Sequence, residues 1–149
     1  MNQCKGCAEC TIFEGKIVTI GGCERNFLKV VETYDYHEKK WAFLPDMIYA
    51  RCGFGAVGME SKLFAIGGAN MYYNSELNGE IFDSYSRKFT IIKEMQNIFG
   101  DQSFLFEVKL FINGYNVIIC SLTSDCHLKQ FVLYDVINDK WEEKSTELL

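Results

Sequence analysis

Cysteines at positions 4, 7 and 10 give the spacing C-x-x-C-x-x-C near the start of a 149-residue chain. Thiolates at such spacing suit a soft metal, but a closed structural site takes four ligands. No second pair follows at a suitable distance. The triplet therefore reads as residues entering a strand, alternate ones facing opposite sides, and no metal or other cofactor is expected. The histidines are His37 and His127. His127 stands near Asp125 and Cys126, a combination that a metal or a general base could use, yet it reads more simply as part of a polar loop. Lys5 beside Cys4 and Arg51 beside Cys52 are the cations placed to lower a thiol pKa, and neither makes a redox thiol stand out. No serine–histidine–aspartate arrangement, paired buried carboxylates or glycine-rich phosphate loop appears. The chain is not expected to be an enzyme.

What organises the chain is a repeat. In Ile17–Pro45 an apolar strand ends in Gly21-Gly22, a loop follows, a second strand ends in Tyr34-Asp35, and Trp41 opens another apolar run seven residues past Tyr34. The order recurs with strand Lys62–Ile66, glycines Gly67-Gly68, then Phe82-Asp83 and, seven residues past Phe82, Phe89. A degenerate third copy has Asn116–Ile119 as its strand and Cys120-Ser121 in place of the glycines. Tyr134-Asp135 follows, with Trp141 seven residues past Tyr134. From the second residue of the glycine pair to the aromatic is 12, 14 and 13 residues in the three copies. Asn113-Gly114 could pass for the third glycine pair, but it matches the earlier turn Glu14-Gly15 and only that register keeps the spacings.

Each copy reads as four short strands in an up-and-down sheet, rich in β-branched and aromatic residues and punctuated by Gly, Asn, Asp, Glu and Ser. Strand A is Ala8–Ile12, Gly53–Gly58 or Ser103–Phe111. Strand B runs into the glycine pair, strand C ends at the Tyr/Phe-Asp, and strand D starts at the Trp or Phe. The segments 34–41, 82–89 and 134–141 are polar tight turns between C and D. A glycine pair at a strand end marks unusual backbone angles or close approach by a large neighbour, here an aromatic from the next copy. Tyr34, Trp41, Phe82, Phe89, Tyr134 and Trp141 are expected to be core or sheet-to-sheet contacts.

The pattern resembles the kelch repeat, one blade of a β-propeller. Gly21, Gly22, Tyr34, Trp41, Gly67 and Gly68 fit the signature directly. Phe82, Phe89, Tyr134 and Trp141 fit by position and type, and Cys120-Ser121 departs from it. The phrases YDYHEKKWAFLPDM and EIFDSYSRKFT look most like kelch-like proteins of the BTB–kelch class. The resemblance implies an all-β fold of three four-stranded antiparallel blades, at about 7–46, 50–95 and 101–145. It also implies protein binding, as the substrate-recognition part of a BTB–kelch adaptor of a cullin-RING E3 ubiquitin ligase. The cullin would be reached through a BTB domain that this chain lacks. The alternative is an actin-binding or cytoskeletal scaffold. Closed propellers have roughly 4–8 blades. Three blades are therefore expected to be a partial, open propeller: a fragment without independent function, or a chain that closes its ring with a second copy. Some kelch-type propellers are copper oxidases, but His37, in a C-to-D turn, and His127 are poor material for such a centre.

In a four-strand meander the B-to-C and D-to-A connections share one face, and variable loops on a rigid scaffold are where binding usually lives. Those loops are 23–29, 69–78 and 122–129, with 46–52 and 96–102. Arg51, just before strand A of the second blade, is singled out because arginines at this place in kelch-like receptors often contact acidic groups of a bound peptide. The competing reading is a salt bridge between blades. Arg25, Asn26, Tyr72, Tyr73, Asn74, Asp101, Gln102 and His127 are further candidates for the binding face.

Composition narrows the classes. A net charge of −5 argues against non-specific nucleic-acid binding. No apolar run reaches the 18 residues of a membrane span, and the polar start does not read as a signal peptide. A cytoplasmic protein with reduced cysteines is the expectation.

Overall fold

A computed structural model describes residue 2 and residues 6–68, 79–92, 107–122, 128–138 and 140–144. The described residues form twelve strands and no helix: β1 (Glu9–Phe13), β2 (Lys16–Ile20), β3 (Val31–Asp35), β4 (Lys40–Leu44), β5 (Gly55–Met59), β6 (Lys62–Ile66), β7 (Gly79–Asp83), β8 (Lys88–Ile92), β9 (Glu107–Asn113), β10 (Asn116–Leu122), β11 (Leu128–Asp135) and β12 (Lys140–Lys144). They make three antiparallel four-stranded meanders, β1 to β4, β5 to β8 and β9 to β12. These are the blades that the repeat implies.

The turn chemistry sets the hairpins. Glu14 and Gly15 both take positive φ, 50° and 73°, as a two-residue hairpin turn matching the strand twist requires. Phe13 therefore pairs with Lys16, and β1 ends one residue later than the sequence suggested. The third sheet differs similarly: its first strand is Glu107–Asn113 rather than Ser103–Phe111.

The C-to-D turns are alike in all three sheets. Asp35 Oδ1 accepts the backbone N–H of His37 and Glu38 at 2.9 and 3.1 Å. Asp83 Oδ1 accepts that of Ser86 at 2.8 Å, and Asp135 Oδ1 those of Ile137 and Asn138 at 2.9 and 3.0 Å. The aspartate of the repeat is thus a turn-former, bonding its own backbone two or three residues on.

The second sheet lies between the other two, so both faces of its second strand are apolar. In β6, Leu63 and Ala65 face the first sheet and Phe64 and Ile66 the third, all fully buried. One core joins the first and second sheets through Phe13, Val18, Ile20, Phe54, Leu63 and Phe82. Another joins the second and third through Phe64, Ile66, Val117, Ile119, Val132 and Tyr134. The first strands line up on the inner side, β1 against β5 and β5 against β9. Gly58 permits this approach, since a Cβ there would overlap the carbonyl oxygen of Ile12.

The glycine pairs do both things expected of them. Gly21, Gly22, Gly67 and Gly68 have φ of 60°, 95°, 78° and 88°. A Cβ on Gly21 would lie 2.7 Å from the ring of Phe54, an aromatic of the next sheet. Without glycines the third copy does not turn away there. Cys120 pairs with Phe131 and Ser121 with Gln130, and the ladder runs on through an irregularity to Leu122.

The aromatic pairs hold their register: Tyr34 opposite Trp41, Phe82 opposite Phe89, Tyr134 opposite Trp141. Ring centroids are 5.2, 5.1 and 4.8 Å apart. Only Phe82 and Tyr134 are buried, because each meets an aromatic of the preceding sheet, Phe13 and Phe64, edge-on at 6.0 Å. Phe89 and Trp141 are half-buried against the same cores. Tyr34 and Trp41 are half-buried, which corrects the expectation that Trp41 is a core residue.

Candidate functional site

Of the B-to-C and D-to-A loops, 23–29 and 46–52 are described, and backbone hydrogen bonds join them. Met47 N–H donates to the Lys29 carbonyl at 2.9 Å, Arg51 N–H to that of Leu28 at 3.2 Å, and Gly22 N–H to that of Arg51 at 3.0 Å. Gly6 and Cys23 exchange bonds of 2.7 and 2.8 Å, fastening the entry to β1 to the same frame. The B-to-C and D-to-A connections thus do share a face here, as a meander requires.

Arg51 is not on that face's surface. Its side chain is wholly buried and paired with Glu80 of β7, Nη2 to Oε1 at 2.7 Å. Its Nη1 donates to the Gly67 carbonyl at 2.7 Å. This corrects the reading of Arg51 as a contact for acidic groups of a partner: a buried salt bridge forms instead, between the connecting loop and the second sheet. Burial without solvent makes such a charge costly unless it is paired and hydrogen-bonded, and Glu80 meets the need.

Glu80 also holds backbone. Ile48 N–H donates to its Oε2 at 2.6 Å and Tyr49 N–H to its Oε1 at 3.0 Å. One buried carboxylate therefore fixes the loop between the first two sheets, while the side chains of Ile48 and Tyr49 stay 38% and 37% exposed. The first sheet repeats the device. Glu32, equally buried, accepts the Asn2 backbone N–H at 2.6 Å. Both glutamates stand two residues before the strand C aromatic, and the third sheet has Val132 there. A charged residue recurring on the inward side of strand C was the sequence signal for this clamp, and the sequence reading passed over it.

Arg25 and Asn26 are exposed in the 23–29 loop, and Ile48 and Tyr49 belong to the 46–52 loop that is hydrogen-bonded to it. Tyr72, Tyr73, Asn74, Asp101, Gln102 and His127 lie outside the described residues.

Of the C-x-x-C-x-x-C triplet, Cys4 lies outside the described residues, and Cys10 is an exposed residue of β1 that joins no thiol cluster among the described residues. Cys7 instead meets Cys23 and Cys52, residues the sequence reading did not connect; the three sulfurs lie within 4.8 Å of one another. Burial, then the neighbouring Cys7 and Cys23, push the Cys52 thiol up to about 12. Arg51 does not activate it, because its guanidinium is turned to Glu80.

On the opposite face, clefts open between sheets at corresponding places. One is lined by Phe13, Lys16, Leu44, Phe82 and Tyr85, the other by Lys62, Ile81, Ile92, Tyr134 and Val136. No charged group is buried among their lining residues.

Comparison with known proteins agrees with this architecture. The family model described as Kelch motif matches residues 4–48. An F-box/kelch-repeat protein of Arabidopsis thaliana is 36% identical over 84 residues, 52% of this chain and 20% of that protein. Kelch-like protein 3 of Danio rerio is 35% identical over 54 residues, 36% of this chain and 9% of that protein. The influenza virus NS1A-binding protein homolog of Mus musculus is 37% identical over 57 residues, 38% of this chain and 9% of that protein. The matches thus span a fifth or less of these curated relatives. The kelch motif thus covers the first sheet, and the second and third sheets repeat its four-stranded meander and its aromatic pair.

Proposed function

We propose that this chain is a protein-binding kelch domain serving as the target-recognition part of a cullin-RING ubiquitin ligase adaptor. The target docks on the face that carries Arg25, Asn26, Ile48 and Tyr49. The observation that carries the reading is the grip of Glu80 on the backbone of residues 48 and 49, which presents exposed side chains from a rigid frame. Pre-organised loops lower the ordering cost of binding, and tyrosine and arginine are favoured interface anchors. The kelch-like relatives support the class. The ligase would be reached through a BTB module, which the three sheets do not include.

The test is a photo-crosslinking residue at position 49, compared with one at position 85 on the opposite face. The longer protein carrying either is irradiated in cells. Capture from position 49 of a protein that gains ubiquitin when the ligase is reconstituted is the expected result. Crosslinks confined to position 85, or capture of actin with no change in ubiquitylation, would replace this reading with the scaffold alternative.

A further inference from the structure

Cys7, Cys23 and Cys52 come from three separate segments: the entry to β1, the end of the first glycine-pair strand, and the entry to β5. Backbone constraints bring them together. The Gly6–Cys23 exchange sets Cys7 beside Cys23, and the Gly22-to-Arg51 bond brings the chain just before Cys52 to the same place. Cys7 takes a φ of 50°, in the left-handed region that non-glycine residues rarely enter. Gly6 is a neighbour of Cys7 in sequence and of Cys23 in space, a Cβ on it falling 3.9 Å from the Cys23 sulfur.

We propose that these three cysteines form a three-thiolate site for a thiophilic closed-shell cation, Zn²⁺ or Cu⁺. A metal–sulfur bond of about 2.3 Å requires sulfurs roughly 3.8–4.0 Å apart in tetrahedral or trigonal coordination. The sulfurs here are all within 4.8 Å of each other, so rotation about the side-chain torsions suffices to close the site. Thiolate sulfur selects these ions over hard cations that prefer oxygen. Cys7 is exposed and the other two half-buried, so an ion can enter from solvent. Among the described residues no fourth ligand joins the cluster. Three thiolates suffice for three-coordinate Cu⁺, whereas Zn²⁺ would complete its four positions with water or a further side chain. The site would staple the first sheet to the second on the loop side.

The test is metal retention by the full chain, purified reduced and without oxygen. It is dialysed against Zn²⁺ with a competing chelator and, in a parallel arm, against Cu⁺ with a Cu⁺-selective chelator. The expected result is one equivalent of one of these ions on the native chain and on Cys10→Ser, with at least a tenfold weaker hold in Cys52→Ser and Cys7→Ser. X-ray absorption of the loaded chain should show three sulfur neighbours. Circular dichroism of the metal-free variants checks folding. Should Cys52→Ser not fold, Cys7→Ser, altered at an exposed position, decides alone. Equal retention by Cys7→Ser, retention of neither ion, or a mass showing a disulfide within the cluster in place of metal, would each overturn the proposal.

Discussion

Arg51 and Glu80, 29 residues apart, meet at 2.7 Å with both side chains closed off from solvent. The pair joins the loop between the first two sheets to the third strand of the second. Removing one partner of a buried pair costs about 3–5 kcal/mol, because the other charge is left uncompensated. Glu80→Ala should reach that range in urea unfolding. It strands the guanidinium and also frees the N–H groups of Ile48 and Tyr49. Arg51→Met should cost less, since those two N–H groups still satisfy the carboxylate. Equal stability of Glu80→Ala and the native chain would show that the clamp contributes nothing.

Gly21 and Gly15 both have positive φ, but only Gly21 is crowded; nothing lies within 4 Å of a Cβ on Gly15. Gly15→Ala should therefore cost about 1–2 kcal/mol, the penalty of a left-handed backbone. Gly21→Ala adds overpacking against Phe54 and should total about 2–5 kcal/mol. Thermal melting of the two variants compares them directly, and a smaller loss for Gly21→Ala would contradict the contact.

Phe82 and Trp41 share a signature role but not an environment. Phe82→Ala should cost about 3–5 kcal/mol as a large-to-small change in a closed core. Trp41→Ala, on a half-buried ring, should cost clearly less. Denaturant midpoints at unchanged slope would rank them, and the reverse order would refute the placement of the first core.

Asp35 bonds Lys16 at 2.9 Å as well as its own turn. The Lys16 bond first, then the Glu38 and His37 amides, bring its carboxyl from 3.8 down to about 2. A carboxyl lowered in the folded chain adds stability above its unfolded value and loses it as pH falls through the folded one. The native chain should therefore lose this contribution between about pH 4 and pH 2. Asp35→Asn should melt lower than native at pH 6, and the gap should shrink across that window. A gap unchanged at pH 2 would rule out the linkage.

Much of this fold was legible in residue types. The glycine pairs, the aromatics seven residues apart and the recurring aspartates each have a local cause: backbone angle, cross-strand contact, or an Asx bond. Local causes leave periodic traces. Arg51 was legible only as an alternative, because its identity suits a peptide contact and a buried ion pair alike. What decides is Glu80, whose distance in sequence hides the pairing. The thiol cluster was hidden for the same reason. Its nearest sequence neighbours, Cys7 and Cys10, part company at the start of β1, whereas residues 7, 23 and 52 converge only once the sheets have stacked.

The third sheet keeps its ladder to Leu122, where the first two leave theirs at Ile20 and Ile66, positions that align with Ile119. Three more paired residues lengthen that strand by about 10 Å. Among the described residues the paired backbone of the three sheets therefore ends at unequal heights, and only the third carries a rigid ladder beyond the level at which the first two give way to glycine.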